Sequence, residues 1–186
     1  MNPTPWRNTA DRYGRLSIGM HWLMVLLLAA VFATMELRGN FPKGSDAREA
    51  MKTWHYMLGL SVLALVAVRL LLRWTDGTTP RISPEPPDWQ ARLATVAHVG
   101  LYALMVAMPL LGWWTLSAQG KAIPFFGLQL PPLVGEDKAL ADWAKEIHET
   151  GATIGYVLIG AHALAALYHH HVVRDDTLRR MLPGRG

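Results

Sequence analysis

The chain of 186 residues contains no cysteine. That excludes disulfides, thiolate-bound iron–sulfur clusters and haem attached covalently through a Cys-x-x-Cys-His motif. Charge is also scarce: Asp, Glu, Lys and Arg together make 17% of the residues, against 51% hydrophobic. Mean hydropathy is +0.15. Few of the charges fall inside the apolar runs 16–37, 57–72, 96–116 and 154–167. Each run with its flanks approaches the roughly 20 residues that a bilayer-spanning helix requires. The sequence therefore predicts an all-α integral membrane four-helix bundle, one domain over 1–186, with spans near 16–37, 54–74, 93–116 and 147–171. The first span is too long for a signal core and is expected to remain in the protein.

The pI near 9.6 is explained by basic residues that flank spans, not by nucleic acid. One side collects Arg7, Arg12, Arg15, Arg73, Arg81, Arg92, Arg174, Arg179, Arg180 and Arg185. The other holds Arg38, Lys43, Arg48, Lys52, Lys121, Lys138 and Lys145. The excess places both termini in the cytoplasm. Residues 75–88 carry Pro80, Pro84, Pro86 and Pro87 and form an extended cytoplasmic link. The longest loop, 117–144, contains an apolar patch at 123–133 broken by Pro124, Gly127, Pro131 and Pro132. It is expected to lie in the membrane interface over the external mouth of the bundle.

Four of the histidines inside the spans, His21, His55, His148 and His162, pair up by depth. A polar, ionisable side chain in a bilayer is costly and marks a functional site. His148 and His162 are separated by 14 residues, within about 40° of four full turns, so they share a face about 21 Å apart along the axis. His21 lies early in a span that starts inside, and His55 at the start of one that begins outside. The depths match as an inner pair, His21 with His162, and an outer pair, His55 with His148. Two facing imidazoles hold a six-coordinate b-type haem. Without cysteine, two non-covalent b haems are expected per chain, stacked as an electron path across the membrane.

Other readings of the same residues stay open. A lone helical histidine is more often a hydrogen-bonded core residue than a ligand. His21, His98 and His162 also admit a zinc site, though that leaves His55 and His148 unexplained. His98 is either an alternative inner ligand, a hydrogen-bond donor to a haem propionate or quinone carbonyl, or a satisfied polar residue. His169, His170 and His171 either end a helix at the interface or deliver protons to a quinone, since histidine titrates near neutrality. Arg15, Arg38 and Arg69 are candidates to pair with anionic propionates, with snorkelling as the alternative.

The pattern Arg15-Leu16-x-Ile18-x-x-His21-Trp22 resembles the start of the bacterial cytochrome b561 family. So do Met35-Glu36-Leu37-Arg38-Gly39-x-Phe41-Pro42, Val68-Arg69-Leu70-Leu71-Leu72-Arg73 and Trp143-x-x-x-x-His148-Glu149. Gly155-Tyr156-x-x-Ile159-Gly160-x-His162-Ala163 and the tail from Ala165 to Pro183 extend the likeness over nearly the whole chain. The resemblance implies two b haems ligated by His21, His55, His148 and His162. It implies a quinone site near His169 or His170. In the superoxide oxidase branch it implies superoxide oxidation outside and ubiquinone reduction, in the bacterial inner membrane, with no protein partner required. Arg38, Lys43, Arg48, Lys52 and Lys121 are external candidates to attract superoxide, and Arg38 and Lys52 count as its candidate catalytic residues. The alternative is a membrane-anchor subunit that passes electrons between a periplasmic dehydrogenase or hydrogenase and the quinone pool, docking through 117–144. A third class, metal transport or sensing without redox chemistry, predicts colourless protein.

Overall fold

The computed structural model describes residues 5–10, 12–76 and 79–182. Pro183 and Arg185, used above, lie outside the described residues. Four long helices run over Arg15–Leu37 (α1), Asp46–Asp76 (α2), Asp88–Ala118 (α3) and Lys138–Tyr168 (α4). All four are long and apolar enough to cross a membrane. Their ends exceed the apolar runs because capping side chains extend them through polar sequence. The Ser45 hydroxyl accepts the Arg48 N–H at 3.4 Å to start α2. The Asp137 carboxylate accepts the Leu140 N–H at 3.0 Å to start α4. Consequently α4 begins nine residues before the expected span at 147. Large apolar residues such as Leu26, Val96, Val157 and Leu164 point outward, each about two-thirds exposed. Outward leucine and valine on long helices are the pattern of a lipid-facing surface.

Chain contacts define two compact units. One draws on Met1–Leu23, Ala67–Tyr102 and Gly155–Gly186 and contains both termini. The other draws on Met24–Val66 and Ala103–Ile154.

The second unit contains a feature that the sequence did not announce. Ile123–Phe125 (β1) and Leu128–Leu130 (β2) pair antiparallel, with Phe125 opposite Leu128. The two-residue turn between them places Phe126 at φ 46 and Gly127 at φ 87. Positive φ at both central positions matches the twist of a hairpin, but it is unusual for phenylalanine. Two contacts hold Phe126 there: its N–H reaches the Met57 sulfur at 3.4 Å, and its ring packs edge-on against Trp54. The segment 123–133, expected to lie in the interface, thus takes the form of a hairpin packed on α2 and α3. Ile123 is only 2% exposed and packs with Leu60 and Leu116, joined by Tyr56, Trp113, Phe125 and Leu130. The turn at Phe126 and Gly127 folds the segment back on itself, while Phe126, Leu128 and Leu133 stay exposed.

Gly120 connects α3 to this hairpin at φ +64, and a Cβ there would meet the Glu136 side chain. Gly120→Ala is expected to cost about 1–2 kcal/mol from the left-handed backbone alone. Thermal unfolding in detergent should register it as a lower midpoint.

In the first unit the carboxyl-terminal segment is stitched down by specific bonds. Trp22 Nε1 donates to the Met181 carbonyl at 2.6 Å. Arg180 donates to the carbonyls of Pro80 and Arg81, and its guanidinium lies over the Tyr13 ring. Asp176 accepts the Ser83 N–H at 3.0 Å. The Pro-rich link is thus anchored by the tail.

Candidate functional site

In the hairpin-bearing unit, α2 supplies His55 and α4 supplies His148. Their ring centroids lie 6.1 Å apart with planes inclined at 77°. Nδ1 of His55 is 3.1 Å from the Val31 carbonyl. A carbonyl only accepts, so this bond puts the proton on Nδ1 and leaves the Nε2 lone pair free. The Thr34 hydroxyl donates to the same carbonyl at 2.6 Å and stands 3.5 Å from Nδ1. On the other side, Nδ1 of His148 is buried without a partner in bonding geometry, with the Met108 carbonyl the acceptor in reach. Gly112 lets α3 approach this ring: a Cβ there would stand 3.3 Å from His148 Cε1. A cleft beside His55 is lined by Tyr56, Gly59, Pro109, Gly112 and Trp113. A Cβ at Gly59 would meet nothing within 4 Å, so this part of α2 leaves room for a flat group.

In the termini-bearing unit, His21 of α1 faces His162 of α4 at 6.4 Å between centroids, inclined at 64°. His98 of α3 also approaches His162, at 5.4 Å. Arg69 reaches all three electrostatically. Its Nε donates to the Tyr102 hydroxyl at 3.0 Å, and Arg73 stacks over the same ring. Arg69 is therefore held beside the pair with guanidinium nitrogens to spare. Arg15, by contrast, is exposed and lies over the Trp6 ring at 5.8 Å.

The spacings test which pairs suit an iron between two imidazoles. A metal–nitrogen distance of about 2 Å, with about 1.1 Å from ring nitrogen to ring centre, would put two imidazoles on opposite sides of a metal about 6.2 Å apart, centre to centre. His55–His148 and His21–His162 fit this spacing, whereas His98–His162 is too close. Glycine at 59 and 112 and a guanidinium at 69 match the flat, anionic-edged shape of haem. Among the described residues, no three His, Asp or Glu side chains converge as a metal cluster. That removes the geometric basis for zinc at His21, His98 and His162.

The two candidate catalytic cations differ. Lys52 is tied to Glu49 at 2.6 Å, so much of its charge is locally neutralised. Arg38 lies electrostatically close to His55 and Tyr56, and its Nε is buried without a hydrogen-bond partner. Arg48 braces the turn by donating to the carbonyls of Arg38 and Phe41.

Past the end of α4, His169–Val173 forms a π-helical turn. It aims His169 at Asp175, whose carboxylate accepts from Nδ1. His170 and His171 instead meet edge to face at 4.7 Å, and His170 Nδ1 is buried without a partner. Asp175 is 1% exposed. Burial pushes its carboxyl pKa up, but the bonds from His169 and Thr177 outweigh this and hold it below its ordinary value. The sequence reading missed Val31, Thr34, Tyr102 and Asp175. None carries a spacing signal, because each meets its histidine or arginine through a neighbouring helix or a non-α turn.

Residues 12–184 match the family described as prokaryotic cytochrome b561. The chain is 42% identical over 177 residues to cytochrome b561 homolog 1 of Escherichia coli K12, covering 94% of this chain and 99% of that protein. It is 38% identical over 172 residues to the probable superoxide oxidase CybB of Yersinia pestis, covering 92% and 96%. A third relative, cytochrome b561 homolog 2 of E. coli K12, is 32% identical over 180 residues, covering 94% and 93%. The extent of these matches and the four membrane-capable helices lead to one conclusion: the chain belongs to the prokaryotic cytochrome b561 family, multi-pass inner-membrane electron-transfer proteins that bind b-type haem.

Proposed function

We propose that this protein oxidises superoxide on the periplasmic side of the inner membrane and reduces ubiquinone, using two b haems. The observation that carries this reading is the pair of imidazole spacings, 6.1 and 6.4 Å, on helices long enough to span a bilayer. The likeness to a protein named probable superoxide oxidase favours superoxide as donor. His55 and His148 would hold one haem, His21 and His162 the other, with Arg69 pairing a propionate at the second. Bound b haem supplies reversible one-electron chemistry.

The protein's own part is positional. The Val31 carbonyl fixes the His55 tautomer. Arg38 offers a desolvated cation near His55, suited to drawing in a small anion. Two superoxide anions lose one electron each to become dioxygen, and ubiquinone takes those two electrons with two protons to become ubiquinol. The excess of Lys and Arg on the side of the termini supports a cytoplasmic position for it, and His169 would lie on that side.

Stopped-flow mixing of oxidised protein with superoxide, then with ubiquinone, tests the proposal. Reduction of the b-haem bands followed by quinone-dependent reoxidation is expected. Bands that ignore superoxide but respond to quinol would favour the anchor-subunit reading, with a protein donor docking at 117–144. Arg38→Glu is expected to slow the superoxide step about tenfold at low salt, with the deficit shrinking as ionic strength rises. Lys52→Glu should do less, because Glu49 already offsets Lys52. Equal loss in both variants, insensitive to salt, would contradict the steering role.

A further inference from the structure

We propose that Asp175 is a positioning residue that acts through His169, making the two a proton-delivery dyad for the bound quinone. The inference rests on the reading that a quinone is reduced at the termini-bearing end.

The geometry is closed on itself. The carbonyl of His169 accepts the N–H groups of Arg174 and Asp175, and the His169 ring returns to the Asp175 carboxylate. Arg174 completes the loop in the left-handed conformation, φ 61. The other carboxylate oxygen of Asp175 accepts the Thr177 N–H at 2.9 Å. Asp175 is almost wholly enclosed, while the His169 side chain keeps 19% of its surface accessible. A buried carboxylate on one ring nitrogen of a partly open histidine is the arrangement that orients a general acid. It fixes the proton on Nδ1, so that Nε2 is the nitrogen that exchanges protons.

The step balances simply. As the quinone receives its two electrons, the Nε2–H bond of protonated His169 breaks and an O–H bond forms at a quinone oxygen. A solvent proton from the cytoplasmic side restores Nε2–H, and a second delivery completes the quinol. Asp175 neither gives nor takes a proton; its role is to hold the ring and its tautomer.

Asp175→Asn separates this role from mere packing. The Thr177 N–H requires an acceptor, so the amide oxygen must face it and the amide NH₂ must face His169 Nδ1. That forces the proton of the neutral ring onto Nε2 with almost no change of shape. The test starts from haem-loaded protein reduced with dithionite, excess reductant removed, and follows reoxidation by a soluble ubiquinone. Being independent of superoxide, it isolates the quinone step. Asp175→Asn is expected to lower the maximal rate by at least about tenfold, with KM little changed and haem content intact. His169→Ala should be as slow, and His169→Ala/Asp175→Asn no slower than His169→Ala alone, because the carboxylate acts only through the ring.

Nitrogen-15 NMR of the reduced wild-type protein supplies a second readout. At a pH where His169 is neutral, its proton should reside on Nδ1. A proton on Nε2, or additive rate losses in the double variant, would overturn the dyad. A His169→Ala protein that reoxidises at the wild-type rate would instead overturn the placement of the quinone at this end. If His169→Ala is slow and Asp175→Asn is not, the quinone placement stands and the dyad fails.

Discussion

His148→Ala is expected to lose one haem and keep the other, taking the content from about two per chain to about one. His148 has a single facing partner, His55, and none of the other described histidines approaches that pair in the ring contacts observed. If the two imidazoles hold a haem between them, removing one would leave its iron short of a ligand. His55→Ala should remove the same haem, so the two variants share one residual spectrum. That residual haem should still be reoxidised by quinone while losing rapid reduction by superoxide. Pyridine haemochrome content and the reduced-minus-oxidised spectrum check both points. Loss of both haems, or of neither, would break the assignment of this pair.

The second large effect separates His21 from His98. Both rings approach His162, at 6.4 and 5.4 Å respectively. Only the longer spacing accommodates an iron between two nitrogens. His21→Ala is therefore expected to abolish the haem of the termini-bearing unit. His98→Ala should retain it with at most a modest shift in potential, since His98 would be a polar neighbour and not a ligand. The same haem assay, with a redox titration of His98→Ala, decides the matter. Loss of a haem in His98→Ala, with retention in His21→Ala, would reverse the pairing. Arg69 gives a graded control: Arg69→Ala removes the cation beside His21 and His162, whereas Tyr102→Phe merely frees the Arg69 side chain.

The parts of this protein that were legible in its sequence are those governed by a period or a length. Apolar runs near 20 residues announced four spans, because a bilayer imposes that length. The interval from His148 to His162 announced a shared face, because helix geometry is regular. What stayed hidden depends on departures from regularity. The 123–133 segment looked like an interfacial patch. Its hairpin turn, with Phe126 at positive φ held by Met57 and Trp54, and the packing of Ile123 against Leu60 and Leu116 carry no periodic signal. Similarly, His169 and Asp175 are six residues apart, a spacing that would not face on an α-helix; the π-helical turn and left-handed Arg174 bring them together. The Val31 carbonyl that orients His55 is a backbone group, and no side-chain pattern can reveal it. Lys52 shows the converse: a cation that looked available in sequence is engaged by Glu49 three residues earlier.

The most direct test of the central claim is haem stoichiometry and redox response measured on one purified sample. Dithionite-minus-oxidised spectra with haem quantified per chain would be followed by addition of superoxide to the oxidised protein and then ubiquinone. The account predicts about two b haems per chain, reduced by superoxide and reoxidised by ubiquinone. Protein carrying a single haem, or haems that superoxide leaves oxidised, would contradict it.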